Sequence, residues 1–487
     1  MSEKIEEEKI GTWLQEKLKQ RGLVDSRGRT SQHSSNQPLE LIVEVEQNKT
    51  SQVLPELQKL PITVHSELVS WGRYIPIVAR AEDIPAIQSI PYVVKVLYSM
   101  PRAPHIEILS EWMRSPLRAP TPFIEDPLLG EVRISEIEIP HVPSLAEILG
   151  KLPISGPLGM LMGPTDLEVD IIPTGETREI IEAPEDNLVT TRVAVLDCGS
   201  PIPLHPLRVG RMVEEVSLVP EPPWDLVSHG VWCHTCAFLG SLSTRFGEVR
   251  SVADALTSLH VKVLDSTGFG SDSTVLRGME LACSWGAKIV NMSLGGPLQG
   301  GVDEDPTCRI IQDTGDEVMW VVAAGNSGPG GWTISSPGAA PKALTVGSYS
   351  PKYGDVASFS SRGPNAEYYR EHRGEWDKDY ARYGENLIKP DILAPGGGPV
   401  RDGQRMDLIY SGGQGWADGQ YDGTQMDGFS AMRGTSMATP HVAGLLALLH
   451  ERFGVGSVGE VKEMMRRISG GKSYDRGYGL IRYGIFR

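Results

Sequence analysis

The sequence predicts an α/β protein whose main part is a doubly wound, mostly parallel β-sheet, preceded by a small α+β domain. Three observations support this prediction. The 487 residues exceed what one hydrophobic core usually serves. From residue 191 onward, continuous apolar runs alternate with helical stretches, as in a parallel sheet covered on both faces. Residues 39–100 alternate shorter strand and helix patterns.

Residues 1–38 predict a charged helix followed by a polar linker. On the helix, residues 3–21, a thin apolar stripe is formed by Ile5, Ile10, Trp13, Leu14 and Leu18. The linker is the Ser-rich stretch VDSRGRTSQHSSNQP, residues 24–38.

Residues 39–100 predict a small α+β domain of the ferredoxin-like type. Strand patterns are LELIVEVEQ, TVHSELVSW, YIPIVAR and YVVKVLYS, and helix patterns are TSQVLPELQKL and EDIPAIQSI. Their order, strand-helix-strand-strand-helix-strand, is that of the ferredoxin-like arrangement. A generic small α/β binding module is the alternative interpretation. Residues 101–190, with recurring prolines and short strand patterns (EVRISEIEI and LEVDII), predict a connector and the entry to the next domain.

Residues 191–487 predict the doubly wound sheet. Buried parallel strands are predicted for RVAVLD, SLHVKVLD, AKIVNMSL, EVMWVVAAG and KALTVGSYS. The stretch STVLRGMELACSW predicts a crossover helix between two of them. In such a fold the reactive groups are expected beyond the carboxyl ends of the strands.

Composition and charge exclude several classes of function. A net charge of −16 argues against nucleic acid and anionic membranes as partners, because both repel such a surface. No run of about 18 apolar residues is present, which argues against a membrane span. The charged N-terminal stretch lacks the apolar segment of a secretory signal. With five cysteines and no disulfide framework, a cytoplasmic location is predicted.

Three segments place reactive side chains where such a sheet would bring them together. RVAVLDCGS ends a strand on Asp197, WDLVSHGVWCHTCAFLG puts His229 at the start of a helix, and RGTSMATPHVAG does the same for Ser436. A nucleophilic serine needs a base, and that base needs a carboxylate to fix its tautomer. Taken singly, an aspartate ending a strand is usually a turn or cap residue, and a serine starting a helix is usually an N-cap.

The order Asp, His, Ser with these flanking residues resembles the subtilisin family of serine endopeptidases. GTSMATPHVAG matches that family's serine signature letter for letter, whereas VAVLDCG and SHGVWC resemble its aspartate and histidine segments. The strand-helix-strand that carries one wall of the family's substrate cleft is similar to VKVLDSTGFGSDSTVLRGMELACSWGAKIVNMSLGGP. The segment that carries the family's oxyanion-hole asparagine is similar to VVAAGNSGP. VASFSSRGP and KPDILAPGG are further landmarks. The resemblance covers roughly residues 191–487.

The resemblance implies a subtilisin-like fold and hydrolysis of peptide bonds through an acyl-enzyme. Ser436 would attack the carbonyl, His229 would move its proton, and Asp197 would orient His229. Asn326 and the backbone N–H of Ser436 would bind the oxyanion. Pro440 is expected near the first helical turn, where a missing N–H is tolerated. The cleft walls, which would bind an extended substrate as an added strand, correspond to Ser293, Leu294, Gly295, Gly296, Ala323, Ala324 and Gly325.

The resemblance also gives residues 39–100 a second meaning, that of a propeptide that assists folding and then blocks the cleft with its C-terminal tail. The protein would then be made as a self-inhibited precursor. Its expected partners are polypeptide substrates and its own propeptide-like domain.

Other interpretations remain open where the sequence departs from the family pattern. The family's His-Gly-Thr-His is replaced here by HGVWCHT, which keeps open a catalytically silent scaffold that binds extended peptides. Hydrolysis of small esters is a third possibility. CHTC resembles half of a zinc site or a redox pair, but no second ligand pair completes it, so buried apolar cysteines and no metal are predicted.

No cofactor is expected to be required. Structural calcium is common in the family, but its ligands are not identifiable in LGSLSTRFGEVRSVADALTS, the stretch after the histidine helix. Two insertions, residues 365–387 and 400–428, predict lids or partner surfaces, or else solvated elaborations of the surface.

Overall fold

A computed structural model of the protein describes residues 9–20, 38–104, 123–126, 130–133, 168–399, 405–415 and 427–486. The chain divides into two compact units, one of residues 1–107 with 168–487 and one of residues 108–167. The described part of the second unit is a two-stranded antiparallel hairpin.

The strands are given in chain order. In the first third of the chain they are β1 Leu39–Val45, β2 Thr63–Val64, β3 Tyr74–Ala79, β4 Val93–Tyr98, β5 Pro101–Pro104, β6 Phe123–Asp126 and β7 Gly130–Arg133. In the middle they are β8 Glu168–Pro173, β9 Leu188–Val189, β10 Val193–Asp197, β11 Met212–Ser217, β12 Ser241–Thr244, β13 Gly247–Arg250, β14 Asp254–Ala255, β15 Thr257–Lys262, β16 Gly270–Ser271, β17 Ile289–Met292 and β18 Leu294–Gly295. The last are β19 Met319–Ala323, β20 Leu344–Ser350, β21 Asp355–Val356, β22 Ile392–Pro395, β23 Arg405–Gly412 and β24 Phe429–Met432.

The α-helices of the described residues lie between these strands. They are α1 Thr12–Gln20, α2 Thr50–Leu57, α3 Ile84–Gln88, α4 Thr174–Ile180, α5 His229–Phe238, α6 Asp272–Trp285, α7 Pro306–Thr314, α8 Glu367–Glu371, α9 Arg373–Tyr383, α10 Thr435–Phe453 and α11 Val458–Ser469. Among the described residues, no helix combines the length and the apolar character needed to cross a membrane.

The N-terminal part is a four-stranded antiparallel sheet in the order β2-β3-β1-β4, with α2 and α3 in the connections. The strand predicted for TVHSELVSW is wrong beyond its first two residues, because a 3-10 turn, Ser66–Leu68, follows β2 after one intervening residue. Helix α1 begins at Thr12, whereas the predicted helix began at residue 3; residues 3–8 lie outside the described residues. Leu14 and Leu18 of the predicted stripe are buried in the core of this part.

The main sheet has the order β11-β15-β10-β17-β19-β20, and β21 and β22 both pair with β20. All of its strand pairs are parallel except β20 with β21. The five strands predicted in this region are therefore present as β10, β15, β17, β19 and β20. In the sheet, β15 and β11 lie on one side of β10 and β17 lies on the other, so the strand order reverses at β10.

Helices cover both faces of the main sheet, as a doubly wound α/β fold requires. Along β10, Val193 and Val195 face a core that includes residues of α5 and α10. The alternate residues, Ala194 and Leu196, face a core that includes residues of α6 and α7. Helix α6 begins with a capping box at Ser271, whose side chain accepts from Thr274 N, and ends at Gly286 with a φ of +85°.

Part of the stretch predicted as a connector packs into the first unit. Strand β8 pairs in parallel with β23, which is antiparallel to β24, and β9 pairs with β14. The first predicted insertion forms α8 and α9 and is fixed by buried Tyr369, whose hydroxyl donates to Asp379 at 2.5 Å. Of the second insertion, residues 400–404 and 416–426 lie outside the described residues.

Candidate active site

Three elements bring the predicted triad residues to one edge of the main sheet. Strand β10 ends on Asp197, α5 begins with His229, and Ser436 is the second residue of α10. All three side chains are buried, with His229 1% exposed and the other two 0%. This edge is the carboxyl end of the strands at the point of strand-order reversal, which is where open α/β sheets bind their ligands.

Asp197 fixes the orientation of the His229 ring. His229 Nδ1 lies 2.7 Å from Asp197 Oδ1, which also accepts the backbone N–H of Cys198 at 2.7 Å. With the proton on Nδ1, as this contact requires, Nε2 carries a lone pair. Nε2 is buried and has no hydrogen-bond partner among the described residues. It is thus a base held in position with its accepting atom unengaged.

Ser436 donates its hydroxyl to the carbonyl oxygen of Ser293, at 2.8 Å, rather than to His229. Hydrogen bonds between nucleophile and base are often long or misaligned without substrate and tighten in the complex. The hydroxyl therefore lies directly beside the cleft-wall residue Ser293.

Asn326 is anchored through one end of its amide. Its Oδ1 accepts the backbone N–H of Thr435 at 3.0 Å and the Thr435 hydroxyl at 2.9 Å. Its Nδ2 is buried and has no partner within the described part of the chain. The N–H of Ser436 is among the first four of α10, which have no acceptor within the helix. Two donors and the positive end of a helix dipole can thus stabilise an oxyanion here.

Asp225, which sequence reasoning missed, positions the helix of His229. Ser228 precedes the helix with a φ of +77° and makes no side-chain cap bond. Asp225 instead accepts the N–H groups of Val227 at 2.7 Å and Val231 at 2.9 Å. Burial raises the pKa of Asp225 to about 6. An acidic residue four positions before the predicted helix was the available signal.

The residue after His229, Gly230, has no room for a side chain. A Cβ at this position would lie 2.3 Å from the carbonyl oxygen of Gly199, in the segment after Asp197. Only glycine lets α5 approach the end of β10 so closely. The Asp197–His229 contact depends on this close approach.

The expected role of Pro440 was wrong. It is the sixth residue of α10, beyond the first turn, so it removes the N–H that would bond the Ser436 carbonyl. That carbonyl accepts instead from Ser293 Oγ at 3.0 Å and from Cys233 Sγ at 3.6 Å. The proline thus frees a backbone acceptor that ties the serine helix to the cleft wall and to the histidine helix.

Part of the predicted cleft wall binds a strand of the chain itself. Strand β18, Leu294–Gly295, pairs antiparallel with β5, so that Gly295 is opposite Ala103 and Leu294 opposite Pro104. On its other side β5 pairs antiparallel with β16. The adjacent Gly296 must be small, because a Cβ there would lie 2.5 Å from the Pro101 oxygen. An extended segment of this chain therefore occupies the predicted cleft.

The other predicted wall residues, Ala323, Ala324 and Gly325, lie where β19 leads into Asn326. Ala323 ends β19, and the N–H of Ala324 donates to Val346 within the main sheet at 3.0 Å. Gly325 has a φ of +109°, and its N–H donates to the Thr435 hydroxyl at 3.2 Å. Among the described strand pairs, β5 contacts none of these three residues. They support the turn that leads into Asn326.

The cysteines of CHTC are both buried, as predicted. Cys233 lies beside His229, and Cys236 Sγ is 3.5 Å from His441 Nδ1. Burial raises the pKa of both thiols well above the usual value, so they are protonated at neutral pH.

The loop after α5 is the stretch in which the family that the sequence resembles commonly binds structural calcium. It forms the hairpin of β12 with β13. Among the described residues, the one group of three potential metal ligands within 4.8 Å is Asp197, Cys198 and His229. That group contains two members of the predicted triad, and no carboxylate cluster lies in the hairpin.

Comparison with known proteins identifies one family and several relatives. The profile described as the Subtilase family matches residues 221–480. The chain is 32% identical over 296 residues to serine protease AprX of Bacillus subtilis (strain 168), covering 56% of this chain and 60% of AprX. It is 34% identical over 229 residues to pyrolysin of Pyrococcus furiosus, covering 41% of this chain and 14% of pyrolysin.

A subtilisin of Bacillus pumilus is 30% identical over 294 residues, which cover 60% of this chain and 88% of that protein. The chain thus matches less than two thirds of the length of AprX and of pyrolysin. The family profile begins after Asp197, so the contact with His229 adds the third predicted triad residue independently of that match.

Proposed function

Because this chain belongs to the subtilase family, we propose that it is a serine endopeptidase that hydrolyses peptide bonds through an acyl-enzyme intermediate. One observation carries the proposal. His229 Nε2 and Asn326 Nδ2 are buried and unpartnered among the described residues, whereas the opposite end of each side chain is held by the protein. These are the two atoms that proton transfer and oxyanion binding require. Buried polar atoms usually have a hydrogen-bond partner, which a bound substrate would supply to these two.

In the proposed reaction, the hydroxyl of Ser436 leaves Ser293 and attacks the substrate carbonyl while its proton passes to His229 Nε2. Asp197 stabilises the imidazolium that forms. Asn326 Nδ2 and the N–H of Ser436 donate to the oxyanion, and His229 then returns the proton to the leaving amine. Water repeats the sequence on the acyl-enzyme and regenerates the serine.

Polypeptides are the proposed substrates. The edges of β16 and β18 face each other across β5, so they can take an extended backbone as a middle strand. A small ester would leave these strand edges unused. A silent peptide-binding scaffold would have no need for a complete triad.

We further propose that residues 39–100 are a ferredoxin-like propeptide domain. The strand order β2-β3-β1-β4 supports the fold, and the position of β5 in the cleft supports the inhibitory role. Ion pairs join this domain to the catalytic part: Arg309 lies 2.8 Å from Glu44, and Lys95 lies 2.8 Å from Glu304. The proposed domains are residues 1–38, 39–100, 101–190 and 191–487.

A cytoplasmic location is also proposed, because all five cysteines are free thiols. The test is fractionation of the source cells, followed by detection of the protein with a specific antibody. Recovery mainly outside the cells would contradict this proposal.

The proposed activity is tested with a fluorophosphonate probe and with casein as substrate. Wild-type protein should be labelled at Ser436 and should degrade casein, whereas Ser436→Ala should do neither. Absence of labelling in a folded wild-type protein whose cleft β5 no longer occupies would contradict the proposal and favour the scaffold.

Self-cleavage is tested on the same two proteins. The register of β5, counted one residue beyond the described strand, predicts a new N-terminus at Ile106 for the wild type. Ser436→Ala should remain uncut. Processing of the purified variant by itself would show that the cut is not made by this site.

A further inference from the structure

Arg102, in the strand that occupies the cleft, is buried in a pocket of the catalytic part. Its side chain is 0% exposed, although both of its neighbours in β5 are at least partly accessible. Nε and Nη2 both lie 2.5 Å from Asp272 Oδ1, and Nη1 donates to the carbonyl oxygen of Ser336 at 2.7 Å. Nη2 also lies 3.3 Å from the Thr307 hydroxyl. Every nitrogen of the guanidinium thus faces an acceptor, which is the recognition geometry of arginine.

The acceptors belong to elements that stay with the catalytic part when the tail leaves. Asp272 is the first residue of α6, and Thr307 lies at the start of α7. Asp305 Oδ2 is 3.6 Å from Arg102 and adds a second negative charge. The pocket is therefore a feature of the cleft itself.

The two carboxylates differ in what holds them. Asp305 caps α7 by accepting the N–H groups of Thr307 and Cys308, so it has structural work without the tail. Asp272 accepts from Arg102, from the N–H of Met100 at 3.0 Å and from Gln299 Nε2 at 3.4 Å. Release of the tail thus leaves Asp272 with one long contact among the described residues. A buried carboxylate in that state favours a new cationic partner.

The strand register gives the position of this pocket relative to the nucleophile. Arg102 is opposite Gly270, and Ala103 and Pro104 are opposite Gly295 and Leu294. The next residue of an antiparallel peptide lies opposite Ser293, whose carbonyl accepts the hydroxyl of Ser436. A peptide residue in the Arg102 position is therefore the fourth before the bond that Ser436 attacks.

We propose that Asp272, assisted by Asp305, Thr307 and Ser336, forms a specificity pocket for arginine at the fourth residue before the cleaved bond. Arg102 is then the chain's own occupant of a site that reads substrates. This inference rests on the proposed endopeptidase activity and deepens it by naming a substrate class, polypeptides with arginine at that position.

The test uses matched fluorogenic peptides that differ only at this fourth position, which carries Arg, citrulline, Lys or Ala. Processed wild-type enzyme, with active sites counted by fluorophosphonate titration, should cleave the Arg peptide with a kcat/KM about 10- to 100-fold above that of the Ala peptide, since the interaction is a charged hydrogen-bonded pair. Citrulline keeps the shape of arginine and removes its charge, so it should lose most of this advantage.

Asp272→Asn should bring the kcat/KM values of the Arg and Ala peptides close together, so the quantity compared is the Arg-to-Ala ratio within each protein. Asp316→Asn is the matched control, because Asp316 is 79% exposed and forms a surface ion pair with Lys342. Should Asp272→Asn fail to fold, the Arg and citrulline comparison in the wild type decides by itself.

The outcomes separate this inference from the proposed function. Equal cleavage of the Arg, citrulline and Ala peptides overturns the pocket and leaves the endopeptidase intact. A preference that persists in folded Asp272→Asn overturns the assignment to Asp272. If the processed protein is not labelled and cleaves none of the peptides, the proposed function is overturned and the proposed pocket with it.

Discussion

At the scale of single residues, the site is built from side chains that are fixed at one end and free at the other. Asn326 is the plainest case, since its oxygen is bound twice by Thr435 and its nitrogen by no described residue. Such an arrangement aims a donor without any reorganisation at the moment of reaction, which is the basis of electrostatic stabilisation in enzymes.

Asn326→Asp tests this point with the smallest change of shape. The aspartate keeps an oxygen for Thr435 but replaces the free donor with an acceptor that repels an oxyanion. We expect kcat to fall by about 10²- to 10³-fold or more, the usual cost of losing one such donor, with little change in KM. Active-site titration separates this effect from poor processing. A kcat within a few-fold of wild type would contradict the assigned role.

Local motifs made some residues predictable and left others hidden. Asp197, His229 and Ser436 each lie in a short motif that the sequence displays directly. Asp225 was missed although it lies four positions before the predicted helix, because its contacts depend on the left-handed backbone at Ser228, which no propensity indicates for serine. The pocket of Arg102 was missed because its ion pair joins residues 170 positions apart.

At the scale of elements, Pro440 couples the serine helix to its neighbours. The carbonyl it frees is bound by the hydroxyl of Ser293, whose oxygen also accepts from Asn291 Nδ2 at 3.0 Å. The interaction is buried, so removing the hydroxyl leaves a buried acceptor with only the weak thiol of Cys233.

A double-mutant cycle measures this coupling. Ser293→Ala should lower the free energy of unfolding by about 1–3 kcal/mol. Pro440→Ala restores an N–H to the Ser436 carbonyl, so the double variant should lose less than the sum of the single losses. Urea unfolding in the Ser436→Ala background, which prevents self-digestion, provides the measurement. Strict additivity would show that the carbonyl is not the shared partner.

The histidines that join α5 to β15 form a second coupling between elements. His234 Nδ1 lies 3.2 Å from His260 Nδ1, and His234 Nε2 lies 2.9 Å from the Ser258 hydroxyl. Both rings are buried. Burial lowers the pKa of His234 to about 3, and burial followed by the charges of His234, Lys262 and Arg208 lowers that of His260 well below 6.5.

These lowered pKa values predict acid sensitivity. Below pH 6.5 the unfolded chain binds more protons than the folded one, so stability falls as the pH decreases. With its pKa lowered to about 3, His234 costs about 2 kcal/mol of stability between pH 6.5 and pH 5. His234→Gln should flatten the pH dependence of urea unfolding, whereas His65→Gln, at a side chain 38% exposed, should not. Parallel profiles for wild type and His234→Gln would refute the prediction.

The fold was predictable where sequence periodicity and burial agree, and less so elsewhere. The strands β10, β15, β17, β19 and β20 were predicted because a parallel strand buried on both faces is a continuous apolar run. The predicted strand TVHSELVSW fails because most of its side chains after β2 are only half-buried or exposed, so little apolar burial requires an extended backbone there. Strand β5 could not be predicted, because its partners lie far along the chain.

At the scale of the whole molecule, a buried ion pair joins residues 39–100 to the catalytic part, whereas other ion pairs of these residues lie at the surface. Glu44 is 2% exposed and lies 2.5 Å from Arg73 in its own domain and 2.8 Å from Arg309 in α7. Glu56, by contrast, pairs with Lys59 at the surface of the same domain, where it is 45% exposed. Buried pairs of this kind depend strongly on both partners, whereas surface pairs contribute little.

Glu44→Gln should therefore weaken the association between the two parts far more than Glu56→Gln. Removal of the buried carboxylate leaves two guanidinium groups without the acceptor that they share, a loss of about 2–5 kcal/mol. Since the tail in the cleft is held by this association, freshly purified Glu44→Gln should show a shorter lag before peptide hydrolysis and a larger free active-site fraction by fluorophosphonate titration. Glu56→Gln should match the wild type. An unchanged lag in a folded Glu44→Gln protein would mean that the tail is retained by β5 and Arg102 alone.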